Sequence, residues 1–295
     1  MSSILHRIQG QTRDIGFPVK RLLPAMAARM VGPFVFFDHM GPMVFAEQGT
    51  EGDVRPHPHI GLATVTYLFS GALMHRDSLG SVQRITPGDV NWMSAGCGIV
   101  HSERIPEDIR TQHVPVQGIQ MWIGLPLAEE ESAPGFWHYP AADLPRVATV
   151  GVTVHVLAGQ AFGQQSPVKT NSPTLYAAIN MEADAQIDIA KDYAERALYV
   201  VDGAISVDGE VVEAGTLVVL RTDIIVNVIA QNASRLMLLG GAPLDGGARF
   251  VWWNFVASSK EKIEAAKLAW ATQEHTFFPP VPGESEFIPL PESKL

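Results

Sequence analysis

Two stretches of the chain carry residue types able to do chemistry: Arg55-Pro56-His57-Pro58-His59 and His101-Ser102-Glu103. Successive side chains of an extended strand point to opposite faces, so residues two apart share one face. His57 and His59 would therefore project together, and so would His101 and Glu103. Each pair could offer two ligand atoms to one point. Three imidazoles and a carboxylate make a nitrogen and oxygen site for a borderline divalent transition metal. A set of this kind with positions left open suits non-haem Fe(II), with Mn, Ni, Cu and Zn as rivals. A single His-x-His is more often a surface or hydrogen-bonded pair than a metal site. Two same-face pairs on neighbouring strands of one barrel reverse that weighting.

The residues between the pairs must supply the elements that bring them together. His59 and His101 are 42 positions apart, too far for a hairpin turn and enough for several short antiparallel strands. Residues 62–69 are β-branched and aromatic and are punctuated by Ser70-Gly71. Residues 82–85 form another short run, closed by Thr86-Pro87-Gly88-Asp89, and residues 90–93 lead into Ala95-Gly96-Cys97-Gly98. Short strands at regular spacing with Gly and Pro turns read as a β-barrel or jelly roll, whose mouth can hold a ligand. Phe34-Val35-Phe36-Phe37 reads as a buried strand, although Phe34, Phe36 and Phe45 could line a cavity, as could Gln120 from the strand ending at Leu125. Cys97 reads as a small packed residue, and His75 and His113 as surface or hydrogen-bonding residues at turns or strand ends.

Several of these stretches resemble the pirin family of metal-binding bicupins. The resemblance rests on His57-Pro58-His59-Ile60-Gly61 with Thr64-Val65-Thr66-Tyr67, on Met93-Ser94-Ala95-Gly96 and Gly98-Ile99-Val100-His101-Ser102-Glu103, and on Gln120-Met121-Trp122-Ile123 with Leu125-Pro126. Pro33-Phe34 and Asp38 fit the same pattern. The match is dense over about residues 30–130 and concerns layout beyond them. It implies that His57, His59, His101 and Glu103 are the ligands of one divalent metal, usually iron. The wider cupin superfamily takes a ligand Glu from its first motif, where Thr64 lies here, so Glu103 fills the carboxylate role. Some pirins are associated with flavonol (quercetin) 2,3-dioxygenase activity, others with regulatory binding to transcription factors or metabolic enzymes. The resemblance thus implies a dioxygenase acting on a small flavonol-like aromatic substrate and dioxygen, with Glu103 as the base. The alternative is a non-catalytic metal-containing regulator with a protein partner. A metal-dependent isomerase or hydrolase is a third reading, since fold does not fix function.

Composition narrows the setting. The 295-residue chain is long enough for two domains, and its hydrophobic and charged contents of 46% and 18% place it among ordinary globular proteins. A net charge of −10 without basic runs argues against direct nucleic-acid binding. The single cysteine excludes an intrachain disulfide and fits a reducing compartment. The first residues lack the apolar core of a signal peptide, and no apolar run reaches membrane-spanning length. The expectation is a cytoplasmic protein with no membrane partner.

The second half repeats the first in weakened form. Residues 197–203 (ALYVVDG) echo residues 65–71 (VTYLFSG), and Glu213-Ala214-Gly215 echoes Thr86-Pro87-Gly88. Carrying the ligand offsets across gives Ile189, Lys191, Val228 and Ala230, and no His-x-His occurs in 140–250. The second barrel therefore reads as a copy that kept the fold and lost the metal. Glu129-Glu130-Glu131 and Pro134-Gly135 mark a solvated linker. The expected architecture is all-β, two tandem cupin (jelly-roll) β-barrels with a short C-terminal helix and an extended tail. Its domains would be 1–134, the metal-binding barrel, and 135–295, the degenerate barrel with helix and tail. Ser258-Ser259-Lys260-Glu261 reads as a capping box for that helix, with Ile263, Ala266 and Trp270 at helical spacing. The proline-rich tail from Phe277 reads as extended, and the resemblance implies that it braces the two barrels.

Overall fold

The structure is a computed structural model that describes residues 2–292. The outermost residues of the two expected domains, 1 and 293–295, lie outside the described residues. The chain is all-β with two cupin domains and the short C-terminal helix Lys260–Ala271. A second helix of five residues, Glu107–Thr111, follows the His101 strand.

The chain divides into two compact units, but not at a single point near residue 134. The metal-motif unit comprises Arg13–Val19, His39–His138 and the chain from Asp245 onward. The other comprises the N-terminal residues through Thr12, Lys20–Asp38 and Tyr139–Leu244. These units interleave along the chain, whereas the expected spans were contiguous, and the physical reasons lie at both ends. Strand Ile4–Gln9 pairs antiparallel with Thr216–Leu220, burying Ile4 and Ile8 and closing an open sheet edge of the second barrel. The helix Lys260–Ala271 buries Ile263, Ala266 and Trp270 in one cluster with Ile60, Val100 and Phe255 of the first barrel.

In the metal-motif unit a four-stranded sheet has the order Val54–His59, Ile99–Arg104, Leu73–Asp77, Val82–Ile85. The first of these contains Pro56 and Pro58, which lack an N–H for a ladder, and it lies at the sheet edge where proline is tolerated. Its register sets His101 opposite His57 and Ile99 opposite His59. In the other sheet, Leu62–Ser70 lies between Val90–Ser94 and Val116–Gly124, with Thr66 opposite both Asn91 and Gln120.

The second barrel is filled rather than hollowed. Ile189, Val228 and Ala230, three of the positions equivalent to the histidine and glutamate motifs, are buried in an apolar core with Leu198, Val218 and Leu236. Lys191, the fourth, is exposed.

The helix is capped one residue later than expected. Ser259 accepts a hydrogen bond from the Lys262 N–H, whereas both Ser258 donors, its N–H and its hydroxyl, go to the Glu130 carboxylate. Lys262 Nζ lies 2.7 Å from the same carboxylate, so Glu130 ties the helix start to the loop after the first barrel. The expected solvated acidic loop therefore contributes one residue, Glu130, that is 2% exposed.

Candidate metal centre

His57, His59 and His101 converge in the interior of the first barrel. Each offers one ring nitrogen to a set whose members all lie within 4.8 Å of one another, and the three residues are 7%, 1% and 1% exposed. Ring centroids are 4.4 Å apart for His57 and His101 and 5.0 Å for His59 and His101. The period-two alternation of one strand delivers His57 and His59, and the antiparallel register delivers His101. The Trp122 ring packs edge-on against His59 at 5.3 Å.

The outer nitrogens are held by hydrogen bonds that fix which nitrogen carries the proton. His57 Nδ1 donates to the Arg55 carbonyl at 2.8 Å, and His59 Nδ1 to the Asn254 carbonyl at 3.0 Å. A carbonyl can only accept, so both rings carry their proton on Nδ1 and leave Nε2 as a bare lone pair. His101 Nδ1 faces His75 Nδ1 at 3.4 Å. Asn254 sits at the turn between Phe250–Trp252 and Phe255–Ala257. Gly61, at φ 66°, allows the approach of this hairpin, because a Cβ there would lie 2.0 Å from the Val256 carbonyl oxygen.

His59 Nε2 and His101 Nε2 are 3.1 Å apart. With His59 protonated on Nδ1, that contact needs either a proton on His101 Nε2 or a cation shared between the two lone pairs. Two nitrogens each about 2.1 Å from an ion, at right angles around it, stand about 3.0 Å apart. The donor set therefore fits a metal ion. Burial lowers His57 to about 4, with the Arg55 carbonyl opposing it. Burial first, and then the neighbouring imidazoles, lowers His59 and His101 well below the ordinary histidine value. Neutral imidazoles have no proton to expel on metal binding.

Glu103 stands outside the 4.8 Å group. The pairing with Val54–His59 slips beyond His101, so that Glu103 faces Val54 rather than Arg55; the extra residue lies on that partner strand, and on the other side the pairing of His101 with Asp77 and of Glu103 with His75 stays regular. Thr66 Oγ1 lies 3.3 Å from Glu103 Oε1 and 2.7 Å from Gln120 Oε1, and its single proton can serve only one of them. Burial raises the Glu103 pKa, against the opposing pull of the Thr66 hydroxyl. On its other side Glu103 borders a cavity of about 20 Å³ that Phe17, Met40, Phe45 and Leu73 also line.

Of the aromatic candidates, Phe45 lines that cavity and packs edge-on against Phe17 at 5.9 Å. Phe34 and Phe36 belong to the other unit, where Phe34 packs on Tyr176 at 6.2 Å and Phe36 carries the Arg21 guanidinium at 4.4 Å. Cys97 is exposed rather than packed, because the turn Ala95-Gly96-Cys97-Gly98 points its side chain outward. His75 is neither at a strand end nor at the surface: it is 4% exposed within Leu73–Asp77. Sequence reasoning passed over His75, Asp77, Thr66 and the Asn254 carbonyl. The pair His75-x-Asp77 has the same period-two signature as His57-x-His59 and could have been read the same way. The Asn254 carbonyl, a backbone group, has no sequence signal.

Two cupin barrels, one with a buried three-histidine donor set and one filled by aliphatic side chains, define a bicupin with a single candidate metal centre among the described residues. The chain belongs to the pirin family: residues 16–123 match the pirin domain and residues 176–276 the pirin C-terminal cupin domain. A pirin-like protein from Caulobacter vibrioides is 46% identical over 284 residues, covering 95% of this chain and 96% of the relative. A crystal structure of quercetin 2,3-dioxygenase from Acinetobacter baumannii superposes with a TM-score of 0.89 at 32% identity, covering 99% and 97% of the two chains. A second quercetin 2,3-dioxygenase structure from that organism gives 0.86 at 25% identity, covering 94% of this chain and 98% of the other.

Proposed function

We propose that this protein is a metal-dependent dioxygenase of the quercetin 2,3-dioxygenase type. It would hold one divalent metal, Fe(II) first among the candidates, on His57, His59 and His101, with Glu103 as a fourth ligand that can loosen to act as base. The observation that carries the reading is the convergence of buried, neutral imidazoles whose inner lone pairs have no partner but each other. A bound metal would supply the open coordination positions at which a flavonol oxygen and dioxygen could meet. The chain itself excludes water with Trp122 and Phe45 and supplies a proton acceptor in Glu103. Its raised pKa suits the removal of a weakly acidic hydroxyl proton. The cavity beside Glu103, at about 20 Å³, has the size of a water or a dioxygen molecule rather than of a flavonol. A planar aromatic would therefore approach the ion from another side.

The test is oxygen uptake and carbon monoxide release by iron-loaded protein offered quercetin and related flavonols. Oxygen consumption that depends on both metal and flavonol is the expected result. Fully loaded protein that consumes none across the panel would favour the regulatory reading, with a protein as partner. Turnover by metal-free protein would remove the metal from the mechanism.

A further inference from the structure

Behind His101 lies a buried polar chain that the proposed chemistry does not use. His75 Nε2 is 3.0 Å from Asp77 Oδ2, and His75 Nδ1 is 3.4 Å from His101 Nδ1. Asp77 is fully buried. Its other oxygen, Oδ1, accepts the backbone N–H of Leu79 at 2.9 Å and of Ser81 at 3.0 Å. The His75 ring lies flat on Phe136, with centroids 4.3 Å apart and planes 12° from parallel, which fixes its rotation.

We infer that Asp77 and His75 form a positioning pair that holds the His101 proton on Nδ1 and so keeps His101 Nε2 free to bind a metal. The inference rests on the metal reading above, and it follows from donor and acceptor arithmetic. A carboxylate only accepts, so a His75 ring with a single proton must place it on Nε2, toward Asp77. His75 Nδ1 is then a bare acceptor, and His101 meets it with an Nδ1–H. The alternative arrangement would put the His101 proton on Nε2, where it could donate to His59 Nε2 at 3.1 Å. That arrangement satisfies the metal-free site and blocks it at once. It also requires His75 to turn a lone pair toward the Asp77 carboxylate, which opposes it. The carboxylate therefore selects the tautomer that accepts a metal over the one that closes the site. A hydrogen-bonded partner on the outer nitrogen also strengthens a metal-binding imidazole as a donor.

Asp77→Asn tests this without altering shape. The two backbone N–H groups on Oδ1 oblige the amide oxygen to stay there, so the amide NH₂ faces His75. His75 must then accept at Nε2 and carry its proton on Nδ1, and His101 must shift its own proton to Nε2. Histidine-labelled, metal-free protein read by long-range proton–nitrogen NMR should show His101 protonated on Nδ1 in the wild type and on Nε2 in Asp77→Asn. Zn(II), titrated calorimetrically as the metal alone, should bind Asp77→Asn about 10- to 100-fold more weakly. The melting temperature of metal-free protein should barely change. His75→Phe keeps the ring stack and removes the acceptor, and it should lose affinity to a similar degree. A wild-type His101 protonated on Nε2 overturns the inference, as does Asp77→Asn with its Nδ1–H and its Zn(II) affinity intact. A tautomer switch in a protein whose wild type binds no Zn(II) would uphold the pair as a tautomer lock and remove the metal reading instead.

Discussion

At the scale of the residue, the centre depends on where protons are barred. The Arg55 and Asn254 carbonyls bar them from the inner nitrogens of His57 and His59, and burial bars a second proton from either ring. His59→Ala removes a proposed ligand rather than its support, so metal affinity should fall by more than the ~10- to 100-fold that loss of an outer partner costs. Lys191→Ala, at the equivalent place in the other barrel, should leave affinity unchanged in the same titration. Glu103→Gln keeps the three histidines and deletes the proposed proton acceptor. It should retain metal, measured by elemental analysis, while the rate of flavonol turnover drops by about 10²–10⁴-fold. Because burial raises the Glu103 pKa, the basic form is lost early on acidification. The wild-type rate should decline as pH falls through that raised value, and a flat profile there would exclude Glu103 as the base.

At the scale of the element, the helix Lys260–Ala271 is fastened at its start by a carboxylate. Burial alone would raise the pKa of Glu130, but hydrogen bonds from Lys262 and Ser258 outweigh it and hold the group below the ordinary 4.5. A pKa lowered on folding contributes stability that is present above the unfolded value and is lost as pH falls through the folded one. Amide exchange in residues 260–271 should accordingly speed up on acidification below pH 4.5, ahead of exchange in the strands of the first barrel. Glu130→Gln should show the faster exchange already at neutral pH. The helix cap illustrates how tertiary contact redirects local signals. Ser258 and Glu261 have capping-box spacing, yet the Ser258 donors are taken by Glu130, and Ser259 becomes the cap.

At the scale of the whole molecule, the C-terminal segment serves the barrel that opens the chain. The Ile288 N–H donates to the Pro56 carbonyl at 2.8 Å, one residue before His57, and the Ser102 hydroxyl, between His101 and Glu103, donates to Glu284 at 2.7 Å. Both candidate ligand strands are thus held from behind by the tail. Phe278 and Val281 are buried at 2% and 3% exposure, and burying such side chains contributes about 1.5–3 kcal/mol each. Truncation from Phe277 onward should therefore lower the melting temperature and, through the lost Pro56 and Ser102 contacts, weaken metal binding as well. A truncated protein that melts lower with unchanged metal affinity would confine the tail to a packing role. Metal stoichiometry in the intact protein should be one per chain, because the second barrel carries aliphatic side chains where the first carries imidazoles.

The sequence by itself determined the all-β bicupin layout, the histidine motif and the lack of a second such motif in the other barrel. These depend on short-range pattern: strand alternation puts His57 with His59, Gly and Pro mark the turns, and no second His-x-His exists to be placed. The tertiary structure decided what depends on long-range register. A bulge in the strand opposite His101 sets Glu103 across from Val54, and Glu103 stands outside the three-histidine group, neither of which spacing alone gives. The Asn254 carbonyl reaches His59 across 195 positions of chain, and a backbone oxygen leaves no mark in the sequence. His75 and Asp77 gain meaning only because the sheet lays their strand beside that of His101. The exchange of chain ends between the two units is likewise invisible locally. Ile4 and Ile8 show an apolar alternation, but their pairing with Thr216–Leu220 lies far beyond any local signal.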